Sequence, residues 1–240
     1  MKKSKIRLMS KRIFLGLGLF LIIFILFKLF INFLNFSDFF KIKYIKNDVS
    51  ILSYLKGKNI FSVNLKEEAK VIERLYPQYR YVRLIRILPN CLYVDFIKRE
   101  PLAYVKLKDY FYIDEEAVLF DIDTPKEVPI ILGLENKISN PASGRKYNIK
   151  ELNFAIELIK QIKTIRPLNL LKIKELNVED LRYVTFLIAE DLEVRIGQEE
   201  IKDKLQILSN LINQLKNDLA NIKYIDLRFK EPTVKLKNVP

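Results

Sequence analysis

The chain has 240 residues, half of them apolar, with one cysteine, no histidine and a net charge of +13. That length allows one large domain, or two small ones plus an anchor. A single cysteine excludes an internal disulfide and a cysteine zinc site, and the lack of histidine excludes His-based triads, His general bases and most catalytic zinc sites. Residues 1–35 hold seven basic residues and no acid, while the remainder holds 35 basic and 29 acidic residues and so carries only +6. No DNA-binding or RNA-binding motif accompanies the charge, so nucleic acid is not an expected partner.

In chain order, residues 1–12 form a short basic tail, "MKKSKIRLMSKR". Residues 13–34, "IFLGLGLFLIIFILFKLFINFL", follow. As a helix they would span roughly 33 Å, about the hydrocarbon thickness of a bilayer. Lys28 lies near the distal end, where its side chain can reach the headgroups. The run is too long for a signal-peptide core, and "NFSDFFKIKY" offers no small-x-small cleavage site. It reads as an uncleaved transmembrane signal anchor. Six basic residues precede it, so the positive-inside rule keeps the tail in the cytoplasm and sends the bulk of the chain outside. A tail of a dozen residues is too short to fold by itself.

A first module is expected over 38–101. Phe40–Asn47 is a strand candidate and Asp48–Leu55 a short helix ended by Gly57. Asn64 followed by Glu67 resembles a capping box for a helix running to Leu75, stopped before Pro77. Tyr79–Leu88 alternates with Val82, Leu84 and Ile87 inward, Pro89–Asn90 turns, and Cys91–Glu100 alternates with Leu92, Val94 and Phe96 on one face. The order is β-α-α-β-β. Cys91 is expected to be a strand residue without chemistry.

A second module is expected over 102–237. Strands are expected at Leu102–Leu107, Tyr110–Ile113 and Val118–Phe120, then a loop-rich stretch, "PKEVPIILGLENKISNPASG". An amphipathic helix covers Ile149–Thr164, and strands cover Ile173–Asn177, Tyr183–Ile188 and Leu192–Ile196. In Glu199–Leu219 the apolar residues Ile201, Leu205, Leu208, Ile212, Leu215 and Leu219 recur at intervals of three and four. That spacing suits a helix lying on a sheet better than a coiled coil. Tyr224–Phe229 and Thr233–Lys237 complete the pattern. The fold class is α+β: an N-terminal transmembrane helix, a β-α-α-β-β module and a mixed sheet domain with an exposed C-terminal edge strand.

Five motifs in this order resemble the FtsQ/DivIB family of bacterial cell-division proteins. They are "IRILPNCLYVDFIKREPLAYV" (85–105), "YFYIDEEAVLF" (110–120), "VPIILG" (128–133), "DLEVRIGQEEIKDKLQIL" (191–208) and "YIDLRF" (224–229). The family usually carries a glycine in the second motif, which here reads "DEEAV", and another after the last, which here reads "KEP". The resemblance implies a POTRA domain at 38–101 and an FtsQ-type β domain at 102–237. It implies a non-enzymatic, single-pass scaffold of the inner membrane at the division septum, without cofactor, metal or small-molecule substrate. Its partners would be FtsB/DivIC-like and FtsL-like membrane proteins. Such a partner would add a strand to the end of the β domain.

The candidate partner-binding residues are Arg228, Phe229, Lys230, Thr233, Val234, Lys235, Leu236 and Lys237, with Arg182 a further basic contact for an acidic partner. In Ile225–Phe229, period-two alternation puts Ile225, Leu227 and Phe229 on one face and Tyr224, Asp226 and Arg228 on the other, as a solvated Asp226/Arg228 pair. Consecutive Asp114, Glu115 and Glu116 point in different directions and read as a solvated turn rather than a metal cage. Asp95 and Glu100 are too isolated for an acid/base pair, and "SGRK" (143–146) reads as a surface loop rather than a serine–lysine hydrolase site. From a different class, a POTRA-type membrane-anchored chaperone or transport adaptor would bind extended polypeptides broadly. A membrane-anchored cell-wall enzyme lacks any nucleophile constellation here.

Overall fold

Hydrophobic patterning of the two kinds found above produces two compact units, one spanning residues up to Leu75 together with Tyr81–Ile97, the other Tyr76–Arg80 and the chain from Lys98 onward. The computed structural model describes residues 2–47, 50–122, 124–189, 191–216 and 218–237, with backbone alone for residues 2–15.

In the first unit, helix α1 runs without a break over Lys2–Phe36. Gly16–Phe36 is long and apolar enough to cross a membrane, and none of it is buried against protein. The basic stretch expected as a tail too short to fold continues this helix instead. Extending an existing helix avoids the cost of nucleating one. Strand β1 (Tyr44–Lys46) is shorter than the Phe40–Asn47 expected. Ser50–Leu55 forms a 3₁₀ turn rather than an α-helix, burying Leu52 and Leu55; the start of that expected helix, 48–49, lies outside the described residues. Helix α2 (Leu65–Leu75) begins directly after Asn64. Strands β2 (Tyr79–Ile87) and β3 (Cys91–Lys98) follow. The sheet order is β1-β3-β2, with β1 parallel to β3. Leu52, Leu55, Ile60, Ile72, Val82, Leu84, Leu92 and Val94 form the core. Ile87 does not join them and is exposed. The inward register of Val82 and Leu84 continues at Arg86, whose guanidinium donates to the carbonyls of Ile60 (2.8 Å) and Val63 (2.7 Å). Cys91 is buried at the start of β3.

Among the described residues the second unit is a nine-stranded mixed sheet and two α-helices. Its strands are β4 (Ala103–Lys106), β5 (Tyr110–Ile113), β6 (Leu119–Phe120), β7 (Ile130–Leu132), β8 (Ile173–Asn177), β9 (Val184–Ile188), β10 (Leu192–Ile196), β11 (Ile222–Asp226) and β12 (Thr233–Leu236). They lie in the order β12-β11-β10-β9-β8-β7-β4-β5-β6. β7 falls within the stretch expected to be loop, yet it sits mid-sheet, parallel to both β4 and β8. Helices α3 (Lys150–Thr164) and α4 (Ile201–Gln214) share one core with the strands. Leu205, Leu208 and Ile212 of α4 are buried there, as expected of a helix lying on a sheet. The hydroxyl of Ser209, also on α4, donates to the Arg166 carbonyl just after α3 (2.6 Å).

In the turn Asp114–Glu116, Glu115 is exposed and Glu116 partly so, as expected, but Asp114 is not solvated. Asp114 is 3% exposed, accepts from the amides of Glu116 (3.0 Å) and Val118 (2.9 Å), and receives Arg99 Nη1 at 2.5 Å. Arg99 also reaches Glu116, and Arg80 bonds both Glu115 and Glu116. A buried carboxylate persists because its lone pairs are filled and its charge is met. Ala117 takes the left-handed conformation (φ 62°), a region that glycine enters at less cost.

Candidate partner interface

The C-terminal end of the large sheet is built from β10, β11 and β12. β10 and β11 are parallel, which requires a crossover, and α4 supplies it. β11 then pairs antiparallel with β12: Tyr224 opposite Lys235, Ile225 opposite Val234, Asp226 opposite Thr233, with a bulge between Ile222 and Tyr224. Among the described residues no strand lies beyond β12, and all four of its residues are exposed.

The backbone of β12 has a readable direction. Lys237 N–H donates to the Asn221 carbonyl (2.8 Å), so the N–H of residue 237 points toward β11. Backbone polar groups alternate sides along an antiparallel strand. Thr233 and Lys235 therefore turn theirs toward β11, while Val234 and Leu236 turn theirs outward. Pro232, lacking an N–H, precedes this outward row, a position open to proline at an edge. The side chains of Val234 and Leu236 stand opposite the core residues Ile225 and Ile222 yet remain 39% and 45% exposed. They form an apolar rim that no element of the described chain covers.

On the other face, cations and aromatic rings stack in sequence. The Arg195 guanidinium lies 3.7 Å from the Tyr224 ring centre and 5.8 Å from that of Tyr183. Arg228 lies 4.3 Å from Tyr183 and 5.3 Å from Phe229. Both guanidinium groups are anchored in plane. Arg195 Nε donates to Glu193 (2.6 Å), while Arg228 donates to Asp226 through Nε (3.0 Å) and Nη2 (2.6 Å). The Arg228 amide also donates to Asp226 (3.0 Å). Burial alone would raise the Asp226 pKa. The hydrogen bonds from Arg228 and the charges of Arg228 and Arg195 outweigh it, and the net shift is downward. Arg228 in turn is held more firmly protonated, chiefly by its hydrogen bond to Asp226.

Two expectations change here. The Asp226/Arg228 pair is not solvated, because Asp226 is 4% exposed. Phe229 does not share the buried face of Ile225 and Leu227. β11 ends at Asp226, alternation ends with it, and Phe229 is left 64% exposed beside Arg228. No residue from Leu227 to Pro232 has a positive φ, so the "KEP" turn needs no glycine. Lys230 is exposed in that turn.

Arg182, far away in sequence, borders the same shallow depression as Arg228, together with Gly197, Gln198 and Lys204. Its guanidinium holds Asp180 (2.8 Å), and that hydrogen bond brings the Asp180 pKa down to about 2. Sequence reasoning missed Tyr183, Arg195 and Tyr224 as parts of this surface. The only available signal was a cation on the outward register of one strand with tyrosines near neighbouring strands. Among the described residues no three carboxylates or thiols converge to hold a metal ion.

The family model described as "Cell division protein FtsQ/DivIB, C-terminal" matches residues 103–228, more than half of the chain. The chain belongs to the FtsQ/DivIB family. Among curated proteins, the cell division protein FtsQ of Geotalea daltonii is 26% identical over 191 residues, covering 78% of this chain and 68% of the relative. FtsQ of Syntrophotalea carbinolica is 25% identical, covering 71% of this chain and 61% of the relative. FtsQ of Myxococcus fulvus is 24% identical, covering 76% and 64%. The chain thus spans about two thirds or somewhat less of these relatives' lengths. The family match ends at Arg228, so β12 lies beyond it.

Proposed function

We propose that this protein is a non-enzymatic, bitopic scaffold of the bacterial divisome. In this reading residues 1–12 are cytoplasmic, 13–34 span the inner membrane, 38–101 form a POTRA domain and 102–237 form the β domain outside, at the septum. A segment of a single-pass division protein of the FtsB/DivIC or FtsL type adds a strand along Thr233–Lys237. Its acidic side chains meet Arg228 and Arg182, and its apolar ones meet Phe229, Val234 and Leu236. The observation that carries this reading is the open edge of β12, with the backbone groups of Val234 and Leu236 turned outward beside an anchored Arg228. Main-chain pairing supplies affinity in such augmentation, while neighbouring side chains supply specificity.

The test is affinity purification from membranes of the full chain and of a version ending at Phe229, with circular dichroism to verify that the shorter form folds. Loss of one specific membrane division protein from a folded, shortened chain supports the mechanism. Equal recovery refutes it. Capture of many unrelated extended polypeptides by the full chain would favour the POTRA-type adaptor instead.

A further inference from the structure

The first unit is joined to its membrane-spanning helix by more than a linker. The side-chain amide of Asn59 donates to the carbonyls of Leu34 (2.7 Å) and Asn35 (2.9 Å), two of the orphan acceptors at the end of α1. Lys41 bridges Asn59, and Ile60 N–H donates to the Phe40 carbonyl (2.9 Å), so the chain just after the helix is paired to the loop that caps it. The Phe40 ring fills the junction, 6.1 Å from Phe33 and 5.2 Å from Phe61. The helix end, the 38–43 segment and the 56–62 loop are therefore one packed body.

That body presents an unusual surface where the helix leaves the bilayer. Phe36 is 84% exposed and Phe39 61%, and Phe61 is partly exposed beside them. Segments 36–43 and 56–62 also carry four lysines (Lys41, Lys43, Lys56, Lys58) against one acid, Asp38. Exposed phenylalanine is costly in water and favourable at the boundary of headgroups and acyl chains, where basic side chains meet anionic headgroups.

We propose that this phenylalanine–lysine collar seats the first unit on the phospholipid surface, with Phe36, Phe39 and Phe61 at the acyl boundary and the lysines on anionic headgroups. Continuity with the membrane helix selects lipid as the occupant. The capped helix end holds the collar at the level of the interface. The inference rests on the reading that residues 13–34 cross the membrane.

The full chain, carrying Cys91→Ala to leave a single thiol, is reconstituted in phosphatidylcholine nanodiscs with and without phosphatidylglycerol. A nitroxide is placed at exposed Ser62 (Ser62→Cys) or, as a control, at exposed Asp109 (Asp109→Cys). Its collisions with a water-soluble nickel chelate are measured by electron paramagnetic resonance. The label at 62 is expected to be severalfold better shielded than the label at 109. Shielding should increase with phosphatidylglycerol, and should fall on Phe39→Ser/Phe61→Ser and on Lys41→Gln/Lys43→Gln/Lys58→Gln in chains with unchanged circular dichroism. Equal accessibility at both sites overturns the proposal, as does shielding indifferent to phosphatidylglycerol or present only when other membrane proteins are added. A chain that fails to co-migrate with the discs refutes the anchor itself, and the collar with it.

Discussion

Proline substitution along β12 separates the binding edge from the folding edge. Val234 turns its N–H away from β11, so Val234→Pro removes no bond of the described sheet. Thr233, the residue before it, is already extended, as proline requires of its predecessor. Domain stability should change by less than about 1 kcal/mol. An added partner strand would instead lose one donor, about 1 kcal/mol net, and have a carbonyl left unpaired at about 1–3 kcal/mol more. Together these amount to about 2–4 kcal/mol, or roughly 30- to 800-fold in Kd. Lys235→Pro behaves oppositely, because its N–H faces β11 and its loss breaks the ladder to Tyr224, at about 1–3 kcal/mol of stability. The assays are urea unfolding of each variant and quantitative recovery of the membrane partner. Undiminished partner recovery with Val234→Pro would refute strand addition at this edge. A stability loss for Val234→Pro matching that of Lys235→Pro would refute the assigned backbone direction.

Asp114→Ala should cost about 2–4 kcal/mol, because it removes the buried partner of Arg99, leaving that guanidinium Glu116 and the Pro77 carbonyl, and unpairs two amides; the shift of a urea midpoint measures it. Gly133→Ala should cost more than about 2 kcal/mol, since φ is +84° and an added Cβ would lie 2.6 Å from the Glu179 nitrogen; a fall in Tm reports it. Asp226 has a folded pKa below its unfolded value, so its contribution is fully present above about pH 4 and is lost as pH falls through the folded value. The urea midpoint should therefore drop on acidification below pH 4, and Asp226→Asn should flatten that part of the profile.

Local periodicity is a property of the chain, and where burial follows periodicity the sequence suffices. The three-and-four spacing in Ile149–Thr164 and the alternation in Leu192–Ile196 each mark one apolar face, and each became α3 or β10 within a residue. The anchor's length and the order of five motifs are likewise written in one dimension. Phe229 is where such reasoning ended: alternation predicts a buried ring only while a strand continues, and β11 stops at Asp226. Three further features came only from tertiary structure. β7 has three residues and no local hydrogen-bonded partner, so its strand exists because β4 and β8 flank it. Asp114 is buried because Arg99, fifteen residues earlier, reaches it. The Tyr224–Arg195–Tyr183–Arg228 stack exists because the crossover through α4 sets β11 beside β10, joining side chains that are distant in the chain. Whether a side chain lies in a core or on a usable surface depends on which strands become neighbours, and that is decided by long-range packing rather than by local pattern.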